Sequence, residues 1–194
     1  MTRSSRPRPA RLPLAWLGVG LLLLLLVSAP APQAIEAAPN AQDFSQWRTY
    51  ANGDDVWSLA FEGQNTVWAG TRGGGVIRWD ITNQAGPTAR QYLFPQTGLA
   101  GNYVRAVAVD NRGNKWFATD RGLSRLAAGA ALDAPASAWA TFTMSNTGNK
   151  LPSNTVTALT VQGDTLWVGT QQYWSPGDKK WLGGGLAQVD ISTD

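Results

Sequence analysis

Residues 171–182, QQYWSPGDKKWL, gather Tyr173, Trp174 and Trp181 with Lys179 and Lys180 in one short stretch. Aromatic rings offer flat contact area with few rotamers to freeze, and ammonium groups add positive charge. Such a set suits binding of a glycan, a peptide or an anionic polymer rather than bond-breaking chemistry. A second reading stays open: SPGD (175–178) is the turn of a hairpin extension, and the rings pack on neighbouring structure. Arg105 is a further candidate for ligand contact. With Trp57 and Thr157 it shares one register position of an internal repeat, where channel-facing or between-sheet side chains fall.

The remaining inventory excludes much chemistry. The chain has no His and no Cys, so Ser-His-Asp triads, Cys-His pairs, His-based zinc or copper sites and disulfides are ruled out. GTRGGG (70–75) lacks the Lys-Ser/Thr ending and the strand-loop-helix context of a phosphate loop. DNRGN (110–114) offers too few oxygen ligands for calcium. Asp54 and Asp55 are adjacent and point apart on an extended chain, which gives no acid–base pair. No catalytic residue, metal site or cofactor is predicted.

The elements that position the candidates begin after a leader. Arg3, Arg6, Arg8 and Arg11 precede the apolar run LAWLGVGLLLLLLV (14–27), then small residues and prolines. That order is a secretory signal. The run is short against the roughly 20 residues of a membrane span, and an uncleaved anchor is the alternative. Residues 1–38 are thus signal peptide or membrane anchor plus linker, and 39–194 the folded part. Its expected location is extracytoplasmic: secreted, periplasmic or at the cell surface. Outside the four leader arginines, twelve Lys and Arg face thirteen Asp and Glu, a net charge of −1. No stretch there is strongly basic, so nucleic acid is not an expected partner.

The folded part repeats itself. Val56, Val104 and Val156 open three related segments, and Trp68, Trp116 and Trp167 recur within them. Each segment reads as an apolar strand, a polar Gly- or Asn-containing turn, a strand containing Trp, a Gly-rich turn and a third strand. A fourth short strand precedes each copy: WRTY (47–50), RQYLF (90–94) and WATF (139–142). Four short antiparallel strands repeated at this period describe a β-propeller blade. The expected fold is all-β, about three four-stranded blades of an incomplete ring after the signal helix, with cores near 54–94, 102–142 and 154–192. Each repeated Trp is expected to pack blade on blade.

The pattern N-x-V, apolar strand, D-x-x-G-N, apolar-Trp-apolar-Gly-Thr and Gly-Gly-apolar resembles the two-component regulator propeller repeat, over residues 45–192. TGLAGNYV (97–104) and LPSNTV (151–156) fit it as well. The second copy departs at FATDRGLSRL, and the third departs through its insert. The resemblance implies an extracytoplasmic sensor propeller of the kind carried by bacterial hybrid histidine kinases. It places ligands on the face shared by the fourth-to-first and second-to-third-strand loops, where the insert lies. The alternatives are part of a secreted propeller enzyme, a lyase or hydrolase, or a protein-interaction scaffold. Three blades fall below the usual four to eight, so the ring is expected to be truncated, or to need further blades or a partner chain to close. The two ends would expose unpaired sheet surface.

Overall fold

The computed structural model describes residues 48–52, 54–83, 86–130, 133 and 135–192. The expected leader lies outside them. The described chain folds into three consecutive antiparallel sheets. In the first, β1 (Val56–Glu62), β2 (Thr66–Thr71), β3 (Val76–Asp80) and β4 (Thr88–Tyr92) pair in chain order. The second repeats this with β5 (Val104–Val109), β6 (Lys115–Thr119), β7 (Gly122–Leu126) and β8 (Trp139–Phe142). The third holds β9 (Val156–Gln162), β10 (Thr165–Ser175) and β11 (Lys180–Asp190). The protein is all-β, and its sheets are propeller-like blades that do not close on themselves. WATF forms the outer strand β8, and the outer strand β4 covers Arg90–Tyr92 of RQYLF but starts at Thr88 and ends before Leu93; each is bonded to the strand before it. Arg48, Thr49 and Tyr50 form no strand and are exposed, so the expected fourth strand at 47–50 is not seen among the described residues.

The repeat is legible as recurring hydrogen bonds. The indole N–H of Trp68 donates to Glu62 at 2.8 Å, that of Trp116 to Asp110 at 2.9 Å, and that of Trp167 to Gln162 at 3.3 Å. In each blade the last residue of the inner strand, or the one just beyond it, therefore satisfies the indole. A buried ring with a polar N–H needs such a partner. Asn102 and Asn154 pin the crossing loops: Phe94 N–H donates to the Asn102 side chain at 2.8 Å, and Met144 N–H to that of Asn154 at 2.7 Å. Gly75 and Gly122 start the third strands with positive φ. A side chain there would run into the carbonyls of Tyr92 and Phe142 on the outer strands.

Two apolar layers lie between the sheets. Trp68, Val76, Tyr92 and Leu99 meet Val107, Phe117, Leu126 and Trp139 between the first and second. Trp116, Leu123 and Leu151 meet Val156, Leu166, Val168 and Ile191 between the second and third. Trp68 and Trp116 are buried, as blade-on-blade packing requires. Trp167 is only half-buried, because no sheet among the described residues packs on its face.

Charged groups are built into the same layers. Lys115 is 2% exposed; its ammonium donates to Glu62 at 3.1 Å and to the Ala127 carbonyl at 3.2 Å. Asp110 is buried, which pushes its pKa up. Hydrogen bonds from Trp116, the Asn114 side chain and the backbone N–H groups of Asn114 and Arg112 outweigh this and hold the carboxyl below its usual range. Arg112 ties the second sheet to the third, pairing with Asp164 at 3.3 Å and donating to the carbonyls of Ile191 and Ser192.

Candidate functional site

The insert is a two-stranded arm. β10 and β11 stay in register from Thr165–Asp190 to Ser175–Lys180, so the ladder runs on past the end of the inner strand. Five extra residues per strand project it roughly 16 Å. Ser175 closes the tip: its hydroxyl donates to Asp178 at 2.7 Å and accepts the Asp178 N–H at 3.3 Å. The hairpin expected from SPGD is therefore present.

Its side chains divide. Trp174 and Trp181 are direct cross-strand partners whose rings meet edge to face at 5.7 Å. They remain 49% and 59% exposed. The expectation that the rings would pack on a neighbouring blade does not hold for these two, since each has the other as its support. Tyr173 is half-buried and lines a small pocket of about 240 Å3 with Met144, Ser153, Asn154 and Thr155. That contact fixes the arm over the end of the sheets that carries Asn102 and Asn154. Lys179, at positive φ in the turn, and Lys180, at the start of β11, are both exposed; Lys180 pairs with Ser175 and so alternates to the face of the arm opposite Trp174 and Trp181.

Arg105 belongs to a second cluster at that end. Its guanidinium lies 5.4 Å from the centre of the Trp57 ring, and Tyr103 stands 6.4 Å from the same ring. Trp57 and Tyr103 are each over 40% exposed, while Arg105 Nε is buried with no hydrogen-bond partner. Thr157, the third residue of that register, donates to the Gly169 carbonyl within its own sheet. Tyr103 joins this cluster from outside the candidate residues, although its place directly before a repeat valine is a usable sequence signal.

Both clusters expose aromatic rings, and in the second a guanidinium lies over one of them. Neither contains a carboxylate pair or nucleophile poised for catalysis. Among the described residues no three His, Cys, Asp or Glu converge on a point, and no helix is long and apolar enough to cross a membrane.

No family model and no curated protein matches the chain. Solved structures do. The extracellular domain named for a hybrid two-component system of B. thetaiotaomicron aligns at 21% identity and TM-score 0.47, over 70% of this chain and 17% of its own. A one-component-system extracellular domain from the same organism aligns at 19% and 0.48, over 74% and 17%. PorZ, a surface component of the type-IX secretion system of Porphyromonas gingivalis, aligns at 21% and 0.45, over 66% and 17%. The chain thus spans about a sixth of each of these proteins.

Proposed function

We propose that this chain is an exported ligand-binding module serving a sensory role, and that it captures a glycan, acidic polysaccharides foremost, on the end of the sheets bearing the arm. One observation carries the reading: Trp174 and Trp181 form a self-supported, half-exposed aromatic pair on an arm that also presents Lys179 and Lys180. Exposed rings stack on the apolar faces of sugar rings, and the lysines favour carboxylated or sulfated chains. Arg105, with Trp57 and Tyr103, extends the surface towards the inner strands. The sensory part rests on the resemblance of the repeats to two-component regulator propellers, and the exported location on the leader.

The test is calorimetric titration with neutral and acidic polysaccharides. Trp174→Ala with Trp181→Ala should weaken binding at least tenfold. Lys179→Gln with Lys180→Gln should weaken the acidic polymers alone and flatten their salt dependence. Binding that survives both changes would overturn the assignment of the arm.

A further inference from the structure

At the head of its inner strand each blade carries one residue more than the strand it pairs with. Val56 and Ser58 face the consecutive Thr71 and Gly70, Val104 and Ala106 face Thr119 and Ala118, and Val156 and Ala158 face Thr170 and Gly169. The residues left over are Trp57, Arg105 and Thr157. A bulge of this kind takes one residue out of the ladder and re-aims its side chain. The three blades thus each present one such side chain at the end that carries Asn102 and Asn154.

Only one of the three is left with an unanswered charge. Thr157 donates to a carbonyl of its own sheet. Arg105 is half-buried, and among the described residues no carboxylate pairs with it and no acceptor meets its N–H groups. Its one contact of this kind is the Trp57 ring. A guanidinium does not give up its proton, so the charge is permanent. The carboxylates at this end are engaged elsewhere: Asp55 with Arg72 at 3.9 Å, Asp54 with the side chains of Asn52 and Gln91 at 2.8 and 3.1 Å, and Asp120 with Arg121 at 3.9 Å. The buried Nε leaves the two terminal amino groups open to solvent. Their fork matches the two coplanar oxygens of a carboxylate. Tyr103 is held in place beside it: its backbone bridges to Arg72, and the preceding Asn102 carbonyl accepts the N–H groups of Gly73 and Gly75 at 3.1 and 3.0 Å. All of these groups belong to the first two blades and the loops that join them.

We infer that Arg105 is the residue that selects a carboxylated sugar: its amino groups take the carboxylate of a uronate residue whose ring rests on Trp57 and Tyr103. The inference rests on the glycan reading given above and divides its labour. Lys179 and Lys180 are exposed point charges that attract any polyanion, and salt screens them. Arg105 is a planar fork fixed on an aromatic ring, and it distinguishes one acid group from another by shape.

The test uses the full chain and two readouts. The first is calorimetric titration with oligogalacturonate, with its methyl ester and with dextran sulfate, in about 0.3 M NaCl, where the exposed lysines are screened. The wild type should bind the free acid at least about tenfold more tightly than the ester, the worth of one charge-assisted hydrogen bond. Arg105→Met should bring the two together, and Arg105→Lys, which keeps the charge without the fork, should resemble it. Equal binding of acid and ester by the wild type, or a preference that survives Arg105→Met, overturns the inference. So does a loss of dextran sulfate as large as that of the free acid, since Arg105 would then act as a plain charge. The second readout is the Nε–H resonance of Arg105 in the wild type, assigned by its absence from either variant. It should move on titration with sodium glucuronate and stay in place with glucose at matched ionic strength. A resonance that ignores glucuronate overturns the carboxylate site whatever the polymers do. A resonance that moves in a protein that binds none of the polymers keeps the carboxylate site and overturns the capture of glycans by the arm.

Discussion

The hydroxyl of Thr170 donates to the carbonyl of Gly185 across the mouth of the arm, at 3.3 Å. Thr71 makes the same bond to Gly75 at 2.9 Å, and Thr119 to Gly122 at 2.8 Å. The separation along the chain is fifteen residues in the third blade but four and three in the others. The insert thus enters and leaves through a bond that every blade makes, and the sheet beneath it is unchanged.

It follows that the arm is separable from the fold. Replacing residues 171–184 by Arg-Gly-Gly, the sequence that joins Thr71 to Gly75, should leave a folded protein. Loss of the partly buried Tyr173 sets the cost at about 1 kcal/mol, or roughly 2–4 °C in Tm. Thermal unfolding by circular dichroism measures it, and polysaccharide binding should be lost in the same protein.

The aromatic pair makes a sharper prediction. A Trp buried in a core costs about 3–5 kcal/mol when cut to Ala, whereas an aromatic pair contributes about 0.5–1.5 kcal/mol beyond its area. Trp174 and Trp181 are half-exposed, so Trp174→Ala should cost near 1 kcal/mol and Trp116→Ala the full core value. Urea unfolding of the two variants side by side reads the difference directly.

The blades could be read from the sequence because their signals are local. Val at the head of the inner strand, Gly or Asn in the turn and Trp in the second strand all fall within one hairpin. What escaped depends on partners far along the chain. Lys115 looks like a solvated residue at a strand start, yet it is buried because Glu62, from the preceding blade, supplies its counter-charge. Trp167 matches Trp68 and Trp116 in sequence but not in burial, since burial is decided by the next blade and not by the strand itself. The segment at 47–50 has the composition of an outer strand and no edge of its own chain pairs with its described residues. The aromatics of the insert were legible as a hairpin with exposed or packed rings, and only the register of β10 on β11 shows that Trp174 and Trp181 pack on each other.

Acid should loosen the junction of the second and third blades. Asp110 has a folded-state pKa below its unfolded value, so its ionised form stabilises the fold. That contribution is full above about pH 4, the ordinary carboxylate value, and is lost as pH falls through the depressed value. Asp80 and Asp190, held down by Thr82 and Ser192, titrate in the same direction, so wild type alone cannot isolate Asp110. Asp110→Asn can: the stability gap between variant and wild type should be wide at pH 7 and shrink towards pH 3 in urea unfolding. A gap that is constant with pH would show that the charge contributes nothing.

The pair Glu62–Lys115 should be asymmetric. Lys115 is 2% exposed, whereas the Glu62 side chain is about a third exposed and also accepts the Trp68 indole N–H. Removing Glu62 strands a buried ammonium with only the Ala127 carbonyl to accept from it, and an uncompensated buried charge costs about 3–5 kcal/mol. Removing Lys115 leaves a carboxylate that keeps the indole and part of its water, a smaller loss of about 1–2 kcal/mol once solvent screening of Glu62 is allowed for. Glu62→Leu should therefore destabilise more than Lys115→Met. The double variant, which removes both charges and replaces them with apolar groups of similar size, should recover most of the loss. A double-mutant cycle by urea denaturation gives the coupling. Equal costs for the two single changes would mean that solvent reaches Lys115 and that the junction is open in solution.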